Sequence, residues 1–208
     1  MVQILDATLR EGEQTPGVYF DIHIKMAITN LLNRIGIDYI EAGHPAVSDE
    51  ITDAVHRIAT MNTHAKIGAH ARTLTADIDQ ALHCQVHFLG IFYCVSNGRL
   101  HEIHQQPLTH AINNIAETIR YARQQKPDLI IRYTLEDTVR TDFENVITAA
   151  QAAVEAGADI IDASILGLGE RAGIVDLAVK VLNEVKLVGR KGRVVDEDEL
   201  RYIVNMCK

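Results

Sequence analysis

Short apolar runs rich in β-branched residues alternate along the chain with longer stretches in which apolar residues recur at helical spacing. Alternation of this kind is typical of strand–helix units built on a parallel sheet. Most of the short runs are almost continuously apolar, which indicates strands covered on both faces. We therefore expect an α/β repeat fold of about six units. The predicted strands are Val2 to Asp6, Ile37 to Ala42, Lys66 to Ala69, Val86 to Tyr93, Leu129 to Thr134 and Asp159 to Leu166.

Five helices are predicted between these strands from their apolar spacing and their capping residues. Gly36 and Gly157 follow the first and the fifth helix, where a residue that tolerates left-handed backbone is favoured. A short helix capped by Asp196 is predicted at about 196–207. No linker or low-complexity stretch divides the chain, so we expect a single domain over residues 1–208. The five helices are expected to begin at Asp21, Ser48, Thr75 or Asp77, Thr109, and Thr141 or Asp142.

Composition excludes several classes of function. The chain has 208 residues, fewer than the roughly 250 of a complete eight-unit barrel. Its net charge of −8 argues against nucleic-acid binding, which needs clustered cations. Cys84, Cys94 and Cys207 form no CxxC pair, so reduced thiols and a cytoplasmic location are expected. The charged Asp6 follows the first apolar run closely, and we expect neither a signal peptide nor a membrane span.

Polar side chains follow five of the predicted strands at the point where each strand ends. Taken singly, such a residue is more often structural. Taken together, they favour an anionic-substrate site, because the carboxyl ends of parallel strands share one rim. The candidates are Asp6, Thr8, Arg10, Glu11, Glu13 and Gln14 after the first strand, Glu41 and His44 after the second, His70 and Arg72 after the third, Ser96 and Asn97 after the fourth, and Thr134, Glu136, Asp137 and Arg140 after the fifth.

Three long motifs resemble those of the homocitrate synthase and 2-isopropylmalate synthase family, metal-dependent acyltransferases and lyases of the DRE-TIM superfamily. The run DATLREGEQTPG from Asp6 to Gly17 is similar to the family's first-strand signature. LEDTVRTD at 135–142 resembles its fifth-strand motif, and LGLGERAGI at 166–174 resembles its last-strand loop. The resemblance implies a TIM-barrel-like fold, here shortened to about six β/α units. Glu11 in place of Asp favours the homocitrate synthase branch.

The resemblance also implies a reaction, the metal-dependent Claisen condensation of acetyl-CoA with a 2-oxo acid, for which 2-oxoglutarate is the first expectation. The implied partners are these two small molecules, and the implied cofactor is a divalent metal such as Mg²⁺, Mn²⁺ or Zn²⁺. A metal would polarise the 2-oxo carbonyl, and a fixed cation would oppose the developing oxyanion. The implied roles are catalytic for Arg10, Glu136 and Glu170, acid-binding for Arg10, Gln14, Glu41, His70, Thr134 and Arg140, and metal-ligating for Glu11.

One segment of the family pattern is missing from this chain. Family members carry a strand ending in Asp-Thr-x-Gly, and then one ending in His-x-His-Asn-Asp, between the fifth-strand motif and the Gly-rich loop. Here the helix ending in Ala156-Gly157-Ala158 leads directly to the last strand. The two histidine metal ligands are therefore absent. His44, His70 and the pair His101 and His104 are the alternative imidazoles, although histidines in an exposed loop are more often solvated.

Three functions are open at this point: an acyltransferase of the homocitrate synthase type, a catalytically inactive homologue that binds a ligand or a partner, and a metal-dependent lyase or aldolase on the same barrel. The missing histidines favour the second function, and the first-strand motif speaks against the third. A shortened parallel sheet leaves strand edges that promote association, so we also expect a homo-oligomer.

Overall fold

The computed structural model describes residues 3–162, and these form six strands and five helices. The predicted terminal helix at 196–207, the end of the sixth predicted strand, and Glu170 lie outside the described residues. The strands are β1 (Leu5–Asp6), β2 (Tyr39–Glu41), β3 (Lys66–Arg72), β4 (Phe88–Cys94), β5 (Ile130–Glu136) and β6 (Ile160–Ile161). The helices are α1 (Ile22–Arg34), α2 (Asp49–Ala59), α3 (Thr75–His83), α4 (Leu108–Gln125) and α5 (Phe143–Ala156).

Capping side chains and left-handed residues set several helix ends. The Asp21 side chain accepts a hydrogen bond from Ile24 N at 2.8 Å, and Ser48 Oγ accepts one from Ile51 N at 3.2 Å. Both predicted caps are therefore confirmed. Gly157 follows α5 with a φ of 110°, a left-handed conformation that favours glycine. The prediction for Thr109 was one residue late, since α4 begins at Leu108.

The described strands run parallel and neighbour one another in chain order. Predicted strand positions were right in each case, but the lengths differ. β3 continues to Arg72 and β5 to Glu136, because backbone pairing extends past the apolar run into the polar residues that follow. β1 is shorter than predicted and pairs Leu5 with Tyr39 and Asp6 with Ile40. The polar residues after these strands therefore stand at strand ends, as the pattern indicates.

The chain divides into two compact units, each with its own core. Among the described residues, the first comprises 3–91 and 122–131, and the second comprises 92–121 and 132–162. The core of the first unit includes the fully buried Leu9, Ile40, Ile58, Ile67, Ile78 and Leu89. The core of the second includes Ile115, Ile119, Tyr133, Ala149, Ala150 and Ala153.

The direct pairing of β5 with β6 in the second unit shows how the shortened chain is connected. Arg132 is level with Ile160 and Tyr133 with Ile161, and Asp162 N donates to Tyr133 O at 3.3 Å. The helix α5 thus leads from the fifth strand straight to its neighbour. A parallel crossover of this kind is a complete β/α/β unit without an intervening strand.

Candidate active site

A buried ion network in the first unit joins the loop after β1 to the carboxyl-terminal parts of β2 and β3. Glu41, whose side chain is fully buried, accepts a hydrogen bond from Arg10 Nε at 2.6 Å through Oε2. Its other oxygen, Oε1, lies 3.2 Å from His70 Nδ1. Three strand ends therefore deliver a guanidinium, a carboxylate and an imidazole to one place. The network unites Arg10, Glu41 and His70, three residues singled out from the sequence.

The loop after β1 is folded so that Arg10 reaches this network. Leu9 is fully buried and anchors the loop in the core. The amides of Arg10 and Glu11 both donate to Ala7 O, at 3.1 and 2.8 Å. This tight turn places the polar residues on the site side while the neighbouring apolar side chain packs inward.

The charge of Arg10 is fixed by its neighbours. Burial alone would lower the pKa of the guanidinium, but Glu41 and Glu11 outweigh that effect and raise the pKa above its already high usual value. The guanidinium is therefore a permanently charged hydrogen-bond donor. Its side chain is 17% exposed, so it still reaches the surface. Such a group can stabilise an oxyanion or hold a carboxylate.

Glu11 and Gln14 lie beside the network in different ways. The Glu11 carboxylate forms an ion pair with Arg10 and is 39% exposed. Gln14 is exposed in the short 3-10 turn Gly12–Gln14. Glu13, which received no role from the sequence, accepts from Lys25 Nζ at 2.6 Å and from Phe20 N at 3.1 Å. It ties the loop to α1.

A second polar cluster in the same unit joins His44 and Arg72, both candidates from the sequence, to Asp77, which the sequence reasoning did not assign to the site. Asp77, 4% exposed, accepts two hydrogen bonds from the Arg72 guanidinium, at 2.7 and 2.9 Å, and its Oδ2 lies 3.2 Å from His44 Nε2. Burial would raise the pKa of this carboxyl, but the hydrogen bonds from Arg72 and His44 outweigh it and hold the pKa below its usual 3.8. The cluster fixes the loop after β3 to the start of α3. The only sequence signal for Asp77 is its position as an acid in the first turn of a helix.

The predicted site residues Thr134, Glu136 and Arg140 belong to the second unit. Thr134 Oγ1 donates to Asp162 Oδ2 at 2.7 Å, and the same oxygen is 3.5 Å from Arg132 Nε. Glu136 is 3.3 Å from Arg99 Nη2. Arg140 is exposed and holds Asp137, which adopts a left-handed φ of 58°, at 2.8 Å. Arg132 and Asp162 were not singled out from the sequence, because their pairing depends on the strand register.

The residues that the structure describes do not on their own fit the divalent metal that the resemblance implies. Within residues 3–162, no group of three or more His, Cys, Asp or Glu side chains is placed to hold a metal ion. Glu11 offers a carboxylate, but hard divalent cations take six or more ligands, mostly oxygens. His101 and His104 lie on a π-helical segment, Arg99–His104, where the His104 ring stacks on Tyr93 at 4.8 Å.

An α/β repeat that gathers polar side chains at the carboxyl ends of parallel strands is typical of proteins of the (β/α) barrel class. Comparison with known protein families identifies the family within this class. The sequence matches the HMGL-like family over residues 1–155 and again over residues 146–206. The chain belongs to the HMGL-like family.

Curated relatives include the homocitrate synthase of Pyrococcus horikoshii, 35% identical over 84% of this chain and 63% of the relative. A homocitrate synthase of Saccharolobus islandicus is 41% identical over 162 residues, which are 76% of this chain and 35% of that protein. The chain thus spans less than two thirds of the length of the relatives it matches. Within the HMGL-like family, its sequence is similar to those of homocitrate synthases.

Two features of these alignments locate the missing segment. The two family matches overlap at residues 146–155, which lie in α5, so one helix stands where the family has two. The Pyrococcus alignment runs over 229 residues, whereas 84% of the 208 residues here is about 175, leaving about 54 positions without a counterpart. That length suits about two β/α units. The predicted loss of the sixth and seventh units is confirmed.

Solved structures show the same fold. The Bacillus subtilis HMG-CoA lyase superposes with a TM-score of 0.67 at 18% identity, covering 98% of this chain and 74% of that one. The carboxyl transferase domain of Rhizobium etli pyruvate carboxylase gives 0.68 at 13% identity, covering 98% and 33%. At such identities the likeness concerns the fold, which is that of a shortened TIM barrel.

Within residues 3–162, no helix has the length and apolar character that crossing a membrane requires.

Proposed function

We propose that this chain carries the acceptor site of a homocitrate synthase-type acyltransferase, which joins the acetyl group of acetyl-CoA to a 2-oxo acid in amino-acid biosynthesis. The observation that supports the proposal is the Arg10–Glu41–His70 network, in which a permanently charged guanidinium is held between two carboxylates at the strand ends. The similarity to homocitrate synthases favours 2-oxoglutarate as the acid.

The residues of this chain have definable tasks in that reaction. Arg10 opposes the negative charge that develops on an enolate or alkoxide oxygen. Glu41, which His70 contacts through its other oxygen, holds the guanidinium in one orientation, so little reorganisation is needed when charge develops. Thr134, Gln14 and Arg140 are the proposed donors to the acid, and Glu136 and Glu170 are the proposed proton-transfer groups.

Cys84 and Cys94 are free and buried, in keeping with a cytoplasmic location.

A second candidate is a homologue that binds the acid but transfers no acyl group. The observation that favours it is the gap of about 54 positions, because the family's His-x-His phrase would fall within it. A chain of this kind would need the missing ligands from elsewhere, such as a partner chain.

The release of free CoA thiol separates the two candidates. We expect the purified chain, mixed with acetyl-CoA, 2-oxo acid and Mg²⁺ or Mn²⁺, to release thiol slowly but above the rate without acid. Arg10→Gln should abolish this release. Asp53→Asn, which changes an exposed residue of α2, should leave it unchanged. Thiol release that equals the background, or that survives Arg10→Gln, would contradict acyl transfer and leave the binding role.

A further inference from the structure

A second imidazole lies beside the one that contacts Glu41. The His44 ring meets the His70 ring edge-on, with the ring centres 6.3 Å apart and the planes at 84°. Aromatic pairs prefer such an edge-to-face arrangement over direct face-to-face stacking. Both rings belong to the first unit, and their side chains are 18% and 10% exposed. A change in the orientation of the His44 ring therefore changes the surroundings of His70.

The backbone brings these two rings together. His70 N donates to Gly43 O at 2.9 Å, which continues the contact between β2 and β3 beyond Glu41. His44 is the next residue along the chain. The buried Pro45 follows it and begins a short 3-10 turn that packs against β3 and α3. His44 therefore stands beside the part of β3 that carries His70.

Asp77 fixes the orientation of the His44 ring. Its Oδ2 lies 3.2 Å from His44 Nε2 and accepts from Arg72 Nε at 2.7 Å. Burial opposes ionisation of this carboxyl, but the hydrogen bonds from Arg72 and His44 keep its pKa low. Asp77 is therefore an ionised group that can only accept hydrogen bonds, and His44 Nε2 is the donor. A buried acceptor of this kind sets both the protonated nitrogen and the direction of the ring.

We propose that Asp77 is a positioning residue for the Arg10–Glu41–His70 network and that it acts through His44. By holding the His44 ring edge-on to His70, Asp77 restricts the His70 ring to the orientation in which Nδ1 faces Glu41. Glu41 in turn orients Arg10. The inference rests on the proposed function for the task of this network, and all of these residues lie in the first unit.

Proton and nitrogen NMR of the histidine rings, recorded on the whole chain without ligand, tests this role. The His70 signals are assigned by their disappearance in His70→Gln. They are then compared in Asp77→Asn, in His44→Gln and in the variant with both changes. Asp49→Asn is the control, because Asp49 is also an acid in the first turn of a helix but is exposed. Melting curves confirm that each variant is folded, and Asp77→Glu, which displaces the carboxylate, replaces Asp77→Asn if that variant is not.

We expect Asp77→Asn and His44→Gln each to shift the His70 ring signals, because the magnetic field of the neighbouring ring changes at His70. The double variant should give the same His70 signals as His44→Gln alone, since Asp77 acts through that ring. Asp49→Asn should leave the signals unchanged. Unmoved signals in Asp77→Asn, or a further shift when Asp77→Asn is added to His44→Gln, would overturn the role of Asp77.

CoA thiol release by the same variants reports separately on the proposed function. In a chain that transfers acyl groups, we expect Asp77→Asn to slow the release about tenfold, since small misplacements of a binding group are costly. An unchanged rate would also overturn the role of Asp77. The expected NMR pattern in a chain that releases no thiol supports Asp77 as a positioning residue while acyl transfer fails. Thiol release by a chain whose His70 signals shift additively does the reverse.

Discussion

Glu41 is the residue on which the network in the first unit depends. Its side chain is fully buried, and its two oxygens serve different partners, Arg10 and His70. A buried carboxylate is costly to desolvate and is tolerated only with such partners. The same geometry that holds Arg10 ready for an anion therefore also contributes to the stability of the fold.

Replacing Glu41 by Gln keeps the shape of the side chain and removes its charge. We expect the free energy of unfolding to fall by about 2–3 kcal/mol, less than the ~3–5 kcal/mol of a broken fully buried pair, because Arg10 keeps Glu11. Urea denaturation measures the change.

The matched control for Glu41→Gln is Asp53→Asn in α2. Asp53 pairs with Arg57 at 2.8 Å, but the two side chains are 53% and 57% exposed. Exposed pairs of this kind contribute little, so the control should change the free energy of unfolding by less than about 0.5 kcal/mol. If the two variants lost the same free energy of unfolding, burial of Glu41 would make no extra contribution to stability.

The sequence predicted which residue types stand at the strand ends but not which partners they choose. Arg10, Glu41 and His70 could be picked out because each follows an apolar run, and the structure joins them. Arg132 could not, because it lies inside the run and its ion pair with Asp162 depends on how two strands align. A one-residue change of register turns a side chain to the other face, and the sequence of a single strand does not fix that register.

At the scale of the elements, apolar spacing predicted the bounds of the helices more accurately than the bounds of the strands. The capped helices α1 and α2 start directly after Asp21 and Ser48, because a cap is a local interaction. Strand lengths depend on neighbours, and β3 extends to Arg72 because its polar end continues to pair. Gly68 illustrates the same dependence, since the Phe88 ring of β4 occupies the space where a side chain would project from β3.

The contact between Gly68 and Phe88 leads to a prediction about packing in the first unit. A Cβ at position 68 would overlap the Phe88 ring. We expect Gly68→Ala to lower the free energy of unfolding by about 1–3 kcal/mol, as other overpacked cores do. Combining it with Phe88→Leu should cost less than the sum of the two single changes, because the smaller side chain makes room.

Gly98→Ala is the control for this packing prediction. Nothing lies within 4 Å of a Cβ added at Gly98, whose φ is −59°, so alanine fits there without strain. We expect no loss of stability, and a gain of up to about 1 kcal/mol from the less flexible unfolded chain. Additive losses in the Gly68 and Phe88 double variant would refute the proposed overlap.

For the molecule as a whole, the missing segment explains both the shortened fold and the poor fit of the described residues to a divalent metal. One helix, α5, aligns with two places in the family, and β5 pairs directly with β6. Among the residues that the structure describes, the sheet begins at β1 and ends at β6. Exposed edges of a parallel sheet favour association, so the homo-oligomer remains a prediction. The sequence motifs were sufficient to foresee the loss, because it removes whole units and leaves the others intact.

Restoring the missing segment tests whether the rest of the site still serves acyl transfer. The chimaera carries, after Ala156, the residues of the Pyrococcus horikoshii homocitrate synthase that face the gap of about 54 positions. We expect it to release CoA thiol at least about 10-fold faster than the present chain, because losing even an outer partner of a bound metal costs 10–100-fold in affinity or activity. We also expect Mn²⁺ to raise the melting temperature of the chimaera more than that of the present chain.

A second chimaera, in which both histidines of the inserted His-x-His phrase are alanine, separates the effect of ligands from that of completing the barrel. It should match the first chimaera in melting temperature without metal, because the same strands and helices are restored. It should show neither the metal-dependent rise nor the faster thiol release, since imidazole donors are needed to hold the ion. Equal turnover by the two chimaeras would mean that the segment acts by closing the sheet, and that the acceptor site at Arg10 works without those ligands.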